Sequence, residues 1–266
     1  MNKLKQTFMM LKKAKRKAFI AYITAGYPDN ATFNKLLFQL EKGGVDAIEI
    51  GIPFSDPLAD GPTIQHSSQK MLQKGMSCKK AIGLIGKAGK HISVPIVFMA
   101  YFNVIYSFGI KRFITESKKA GVSGVIVPDL PIEESGQLMK VCRREDFDLI
   151  FLAAPTTDKK RMKEIVKKSK GFIYYVSLTG VTGARKNLAF DIRANVKKIK
   201  AVTDKPVCVG FGISNAQQAR YVSAAADGII IGSAIIKIIE KSKNKPAVLK
   251  NVFSFTKNIR KAIDVK

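Results

Sequence analysis

Two carboxylates in one short segment have the residue types that acid–base chemistry requires. The segment EIGIPFSDPLADGPTIQ (49–65) starts as an apolar strand that carries Glu49 and continues into a loop that carries Asp60. Alternation along a strand predicts that Glu49 points away from Ile48 and Ile50. Burial raises the pKa of an unpaired carboxyl group toward the range where a general acid or base works at neutral pH. A salt-bridged structural glutamate is the alternative interpretation.

The loop after Glu49 is acidic and constrained by proline. Asp56 and Asp60 are common turn-forming residues beside proline or glycine, so either one alone predicts only a turn. The whole run over 51–65 is more specific, because its second carboxylate lies in a loop stiffened by Pro53, Pro57 and Pro62. The run therefore predicts a second functional carboxylate at Asp60.

Three glycine-containing turns follow later strands and have the composition of phosphate-binding turns. Their sequences are GVTGARKN (180–187), GFGIS (210–214) and IIIGSAIIKII (229–239). Backbone amides at such turns and at helix N-termini favour anions. Ser214 and Gln217 have the spacing of a helix capping box. Ordinary tight turns are the alternative to a phosphate site that consists of Gly183, Phe211, Gly212, Gly232 and Ser233.

The elements that must position these groups alternate regularly along the chain. Regular alternation of strand-like and helical stretches predicts a parallel sheet, and eight units in about 250 residues are typical of a (β/α)8 TIM barrel. A doubly wound open sheet is the alternative, but its usual GxGxxG turn is absent after the first strand. Short β-rich runs predict eight strands, at 18–24, 47–51, 95–100, 124–128, 149–153, 172–177, 206–210 and 228–232.

We predict one α/β domain over residues 1–266, because no linker or low-complexity segment interrupts the pattern. The first ten or so residues predict an extra amphipathic N-terminal helix through Leu4, Phe8 and Leu11. The segment GSAIIKII predicts a short phosphate-binding helix after the eighth strand. Functional groups of such barrels collect at the C-terminal ends of the strands, and every unusual segment of this chain follows a strand.

The net charge of +26, from 46 Lys and Arg against 20 Asp and Glu, raises nucleic-acid binding as a possible function. The lysines are spread over nearly every helical segment without a nucleic-acid-binding motif, so we expect a solvated surface and no specific nucleic-acid partner. No apolar run reaches the ~18 residues of a membrane span, and the N-terminal segment suits a helix and a strand better than a signal peptide. Three scattered cysteines and two histidines predict neither disulfides nor a metal site and fit the cytoplasm.

Several motifs together resemble the α subunit of tryptophan synthase: EIGIPFSDPLADGPTIQ, VPDLPIEES, SLTGVTGAR, GFGIS and IIIGSAIIKIIEK. The resemblance extends over essentially the full chain. It implies a lyase of tryptophan biosynthesis in a (β/α)8 barrel, which cleaves indole-3-glycerol phosphate to indole and glyceraldehyde 3-phosphate. It also implies an α2β2 heterotetramer in which a β subunit with pyridoxal phosphate receives the indole, and no cofactor in this chain.

The resemblance also assigns roles to individual residues. Glu49 falls on the family's acid–base glutamate and Asp60 on its second catalytic carboxylate. The loops that contain Pro53, Asp56 and Asp129 should lie at the mouth of the active site, so we expect these residues to contact the β subunit. The implied indole pocket is Tyr22, Met99, Ile126, Tyr174 and Thr182, with Phe98 and Tyr101 nearby. The chain departs from residues common in the family at Ala21, Met99, Pro128 and Leu178. A regulatory subunit that mainly activates the β subunit and another phosphate-binding barrel enzyme are the alternatives.

Overall fold

A single sheet of parallel strands forms the centre of the molecule. The computed structural model describes residues 2–176, 185–210 and 212–264, and gives the backbone alone for residues 185–191. The strands within these ranges are β1 (Ala18–Thr24), β2 (Ala47–Gly51), β3 (Ile96–Met99), β4 (Val122–Ile126), β5 (Asp148–Ile150), β6 (Leu152–Ala153), β7 (Ile173–Val176), β8 (Val207–Gly210) and β9 (Gly228–Ile231). Their order in the sheet is β5-β4-β3-β2-β1-β9-β8-β7-β6.

The sheet closes into a barrel at its fifth strand. The two ends of the sheet, β5 and β6, are parts of the single run predicted at 149–153, separated only by Phe151. The Phe151 amide donates to Ser169 Oγ at 3.1 Å, and its carbonyl accepts from the Tyr174 amide at 3.1 Å. The two edge strands of the sheet are therefore continuous through Phe151, and this continuity closes the barrel. The predicted (β/α)8 barrel is confirmed, with its fifth strand in two segments.

Helices surround the barrel, and the described residues contain more helices than strands. They are α1 (Lys3–Lys13), α2 (Asn30–Lys42), α3 (Pro62–Gln73), α4 (Cys78–Ala88), α5 (Phe102–Phe108), α6 (Ile110–Lys119), α7 (Gly136–Arg144), α8 (Lys159–Lys168), α9 (Arg185–Lys200), α10 (Ala216–Ala225), α11 (Ser233–Lys241) and α12 (Lys245–Asp264), with a short 3-10 turn at Gly89–His91. Pairs of helices follow both β2 and β3, which the sequence pattern did not predict. The short helix after the last strand is confirmed as α11.

The fourth strand begins and ends two residues before the predicted run 124–128. Gly121, at φ +89°, ends the preceding turn, so the extended chain begins at Val122. Pro128 lies beyond the strand, since proline has no amide hydrogen to donate to a neighbouring strand. The VPD segment therefore belongs to the loop at the C-terminal end of the barrel.

The predicted N-terminal helix α1 covers the N-terminal end of the barrel. Its apolar residues Leu4, Phe8 and Leu11 are buried in the cluster that fills the barrel interior. The Phe8 ring lies 5.6 Å from the ring of Phe172. Each such side chain removed from water contributes about 1.5–3 kcal/mol. Because α1 covers this end, the opposite end, where the strands terminate, is left for a binding site.

Candidate active site

Glu49 is a buried carboxyl group inside the barrel. It lies on β2 in register with Tyr22 of β1 and Val97 of β3, and is only 1% exposed. Neither carboxylate oxygen has a hydrogen-bond partner among the described residues. Burial, and then the nearby charge of Asp60, raise the pKa of Glu49 to about 8. The described residues therefore contain no salt bridge for this glutamate, in contrast to the structural interpretation.

Asp60 lies in the loop after β2 and is held by two neighbours. The Tyr101 hydroxyl accepts from the Ala59 amide at 3.1 Å, and Gln65 Nε2 donates to the Asp60 carbonyl at 2.9 Å. The ring of Phe54 stacks on Tyr101 at 5.1 Å. Burial raises the pKa of Asp60 to about 6, against a hydrogen bond from Tyr101 that lowers it. The loop thus fixes a second carboxyl group in a different environment.

A cavity of about 410 Å³ contains both carboxyl groups. It brings together eight of the residues predicted for catalysis, indole binding and phosphate binding: Tyr22, Glu49, Asp60, Met99, Tyr174, Gly212, Gly232 and Ser233. The other residues that line it are Gly61, Pro62, Thr63, Ile64, Ile213, Ser214, Ile230, Ala234 and Lys237. An apolar cavity with a few converging polar groups is the usual form of a small-molecule site.

Two tyrosines contribute aromatic surface to the cavity. Tyr22 and Tyr174 are almost fully buried, and burial raises the pKa of both phenols well above the usual value, so they stay neutral. Gly51 makes room for the first of them, because a Cβ atom at Gly51 would lie 2.1 Å from the Tyr22 hydroxyl. A side chain at this glycine would displace the ring.

Ile126 is not among the residues that line the cavity, although it lies in register with Met99, which does, so its assignment to the indole pocket stays a prediction. It belongs to the apolar layer in the barrel interior and is 1% exposed. Ile230 of β9 does line the cavity, and the sequence interpretation missed it. Alternation along β9 could have identified Ile230, because it lies two residues before Gly232 and therefore on the same face. Phe98 packs on the helix side against Phe113, with ring centres 6.2 Å apart, and is a core residue.

The N-terminus of α11 and the turn that precedes α10 both line the cavity. Gly212 has a φ of +78°, which residues with a side chain rarely adopt. Gly232 is the N-cap residue of α11, whose first amides have no partner within the helix. Free backbone amides of this kind favour an anion, and phosphate binding at Gly212, Gly232 and Ser233 stays a prediction.

The capping box of α10 lies one residue later than predicted. Asn215 is the N-cap and accepts from the Gln218 amide at 2.9 Å, while Gln218 Oε1 accepts from the Ser214 amide at 2.8 Å. The predicted pair Ser214 and Gln217 is therefore wrong, because asparagine at the next position takes the same role. Four further assigned residues, Gly183, Thr182, Phe211 and the departure Leu178, lie outside the described residues.

The three residues assigned to partner contacts lie in the loops after β2 and β4. Asp56 is exposed, whereas Pro53 is buried and supports the loop rather than presenting a surface to a partner. Asp129 is exposed, and its carboxylate accepts from the Phe102 amide at 2.8 Å, so it also fixes the start of α5. Leu58, which lies in the loop after β2 with Asp56, is 94% exposed and was not identified from the sequence.

Several negative findings apply to the described part of the chain. No cluster of three or more histidine, cysteine, aspartate or glutamate side chains is arranged to hold a metal ion. No described helix is long and apolar enough to cross a membrane. The departure Ala21 is buried and Pro128 is half-buried in the loop after β4.

Fold and site together define a class: a (β/α)8-barrel enzyme with a pair of carboxyl groups at the C-terminal ends of its strands. The family model described as tryptophan synthase alpha chain matches residues 8–264. The chain belongs to the tryptophan synthase alpha chain family. Members are carbon–carbon lyases that cleave indole-3-glycerol phosphate to indole and glyceraldehyde 3-phosphate, and this reaction is the function of the chain.

Individual relatives agree with the family model over almost the whole chain. The tryptophan synthase alpha chain of Caldanaerobacter subterraneus subsp. tengcongensis is 43% identical over 99% of this chain and 100% of its own length. That of Geotalea uraniireducens is 45% identical over 91% of this chain and 90% of its own length. The crystal structure of the alpha subunit from Legionella pneumophila str. Paris has a TM-score of 0.92 and 34% identity, and covers 99% of both chains.

Proposed function

We propose that Glu49 moves the protons of the cleavage reaction. Its pKa of about 8 keeps the carboxyl group protonated at neutral pH, so it can first donate a proton to indole C3. The resulting carboxylate then takes the proton of the hydroxyl group next to the C–C bond. The new carbonyl of glyceraldehyde 3-phosphate forms as that bond breaks, and the bonding electrons return to the indole ring. Glu49 ends the cycle protonated, as it began.

Asp60 supplies the opposite property from the same cavity. Its pKa of about 6 leaves it ionised at neutral pH, so it accepts a hydrogen bond from indole N1–H and stabilises the positive charge that develops on the protonated ring. Two carboxyl groups whose environments separate their pKa values take different acid–base roles. The observation that carries the proposal is the geometry: one cavity contains both a fully buried Glu49 without a hydrogen-bond partner among the described residues and Asp60 beside the Tyr101 hydroxyl.

The remaining cavity residues divide between the two ends of the substrate. The indole ring lies against Tyr22, Met99, Tyr174 and Ile230, which supply aromatic and apolar surface. The phosphate binds the backbone amides at Gly212, Gly232 and Ser233, with Gly183 and Phe211 retained from the sequence prediction. Thr182 stays a prediction of the resemblance as well. The direct test is the release of indole and glyceraldehyde 3-phosphate in equal amounts from indole-3-glycerol phosphate by the purified chain.

We expect Asp60→Asn to lower kcat by ~10² or more, because a neutral amide cannot stabilise the developing positive charge. The pKa of Glu49 should fall as well, since the charge of Asp60 contributes to raising it. Steady-state indole release measured as a function of pH gives both quantities. The control is Asp56→Asn in the same loop, whose exposed side chain does not line the cavity. Equal kcat for Asp60→Asn and the unmodified chain would remove Asp60 from the mechanism.

The rim of the cavity is the proposed contact face for a β subunit in an α2β2 heterotetramer. Apolar indole is better passed between subunits than released into water, so the partner should cover the cavity mouth. Exposed Leu58 beside exposed Asp56 gives this loop an apolar centre and a charged edge, and Asp129 adds a second carboxylate. Pyridoxal phosphate belongs to that partner, and the carboxyl chemistry proposed for this chain requires no cofactor of its own.

The Asp56 carboxylate gives a direct test of this face. We expect Asp56→Ala to weaken complex formation with the β subunit by about tenfold and to reduce mutual activation, because a charged contact at an interface typically costs 1 kcal/mol or more when truncated. Analytical gel filtration and activity titration measure the two effects. Asp204→Ala is the matched control, since Asp204 is also exposed but precedes β8 at the other end of the barrel. Identical behaviour of both variants would place the contact face elsewhere.

Two general properties of the chain, its domain organisation and its cellular location, complete the proposal. We propose that residues 1–266 act as one domain, because helix α12 packs beside α2 and α10 and so joins both ends of the chain to one barrel. A cytoplasmic location is supported by the three cysteines Cys78, Cys142 and Cys208, which are all free and buried.

A further inference from the structure

Lys237 is the only cation among the described residues that line the cavity. It lies on α11, four residues after Ser233, so the two side chains share one face of the helix. No ion pair or hydrogen bond joins its exposed ammonium group to another described residue. Its acidic neighbour on the helix, Glu240, pairs instead with His66 at 2.9 Å and Lys70 at 3.8 Å of α3. A positive charge that is unpaired among the described residues therefore borders the cavity.

The charges of the cavity residues indicate a role for Lys237 in binding an anionic substrate. The carboxyl groups of Glu49 and Asp60 also line the cavity, and they repel an anionic substrate when ionised. The substrate's phosphate carries up to two negative charges. Backbone amides at the start of α11 supply only about half of one positive charge. A lysine side chain at the same end of the cavity adds a full positive charge to this partial one.

The direction of the Lys237 side chain suits this task. Side chains on an α-helix lean toward its N-terminus and cover the preceding turn. The preceding turn of α11 begins at Ser233, beside Gly232 and in the same cavity. A lysine stem is long and flexible enough to follow a phosphate group at that turn while its ammonium stays near water.

We propose that Lys237 is a substrate-binding residue whose ammonium group pairs with the phosphate of indole-3-glycerol phosphate. The inference rests on the proposed placement of the phosphate at Gly212, Gly232 and Ser233. Lys237 takes no part in proton transfer, so it contributes to binding of the ground state and the transition state equally. Such uniform binding affects KM and leaves kcat in place.

The test is Lys237→Met, which keeps the length of the side chain and removes its charge. We expect KM for indole-3-glycerol phosphate to rise about tenfold with kcat nearly unchanged, as for loss of one charge-assisted contact at a partly exposed site. Lys237→Arg should restore most of the affinity. Lys241→Met is the matched control, because Lys241 is exposed on the same helix and does not line the cavity.

Binding of two product-like molecules separates failure of this inference from failure of the phosphate placement. Calorimetry of Lys237→Met should show about tenfold weaker binding of glycerol 3-phosphate than the unmodified chain, and unchanged binding of indole. The salt dependence of glycerol 3-phosphate binding should also weaken. Equal glycerol 3-phosphate affinity in Lys237→Met and the unmodified chain would overturn the role of Lys237 alone. Loss of affinity in Lys241→Met but not in Lys237→Met would overturn the phosphate placement as well.

Discussion

Replacing Glu49 with glutamine should reduce kcat for indole release by ~10²–10⁴, the usual contribution of general acid–base catalysis. Glutamine keeps the size of the side chain but can neither donate the proton to indole C3 nor accept one from the substrate hydroxyl. The position is 1% exposed and surrounded by apolar side chains, so the neutral amide fits the site without a charge to bury. Single-turnover indole formation and the binding of glycerol 3-phosphate separate lost chemistry from lost binding.

Asp148 provides a matched control for Glu49. It is also a buried carboxyl group on a barrel strand, one of its oxygens has no partner among the described residues, and burial raises its pKa to about 6. Asp148 begins β5 at the N-terminal end of the barrel and does not line the cavity. Asp148→Asn should therefore keep kcat. If kcat fell equally in both variants, the loss would come from replacing a buried carboxyl group in general, and not from acid–base chemistry at Glu49.

The same Glu49→Gln substitution should stabilise the folded chain above neutral pH. The pKa of Glu49 is about 8 when folded and near 4.5 when exposed, so between these values the unfolded chain loses a proton that the folded chain keeps. Folding stability therefore falls as pH rises from about 4.5 to about 8, at most by about 1.4 kcal/mol for each pKa unit. Glutamine removes this loss, and we expect a gain on the order of a few kcal/mol at pH 8.5 and little gain at pH 4.5.

Urea unfolding at pH 4.5, 7 and 8.5 measures this gain. Asp148→Asn should also gain stability, but its gain should be complete near pH 7, because the folded pKa of Asp148 is about 6. Only the Glu49 variant should gain further between pH 7 and pH 8.5. A Glu49→Gln gain that is the same at all three pH values would mean that the carboxyl group is not held protonated in the folded chain.

The expected loss of kcat and gain of folding stability in Glu49→Gln have one physical cause. A carboxyl group that is useful as an acid at neutral pH must be buried without a partner, and the folded state is less stable for it. Alternation along β2 predicted the inward direction of Glu49 from the sequence, because the side-chain period of a strand is fixed by its geometry. The N-terminal helix followed for a similar reason, since Leu4, Phe8 and Leu11 repeat with the helical period.

Other features depend on contacts that a local pattern does not contain. The hydrogen bond that the Ala59 amide donates to the Tyr101 hydroxyl joins residues 42 positions apart. The break at Phe151 arises where the barrel closes, and Ser169 takes the amide that a regular strand would pair. Burial of Pro53 likewise depends on how the whole loop folds back onto the barrel. Short-range patterns predicted the elements and both carboxyl groups of the cavity, whereas tertiary packing decided which residues surround them.

The most direct test of the central claim is a crystal structure of Glu49→Gln with intact indole-3-glycerol phosphate. The slow variant should hold uncleaved substrate with indole N1 within hydrogen-bonding distance of the Asp60 carboxylate. The side chain at position 49 should face indole C3 and the neighbouring hydroxyl group, and the phosphate should lie on the amides of Gly232 and Ser233. Substrate bound with its indole ring away from Asp60, or with its phosphate at another end of the barrel, would contradict the assignment of this cavity as the site of cleavage.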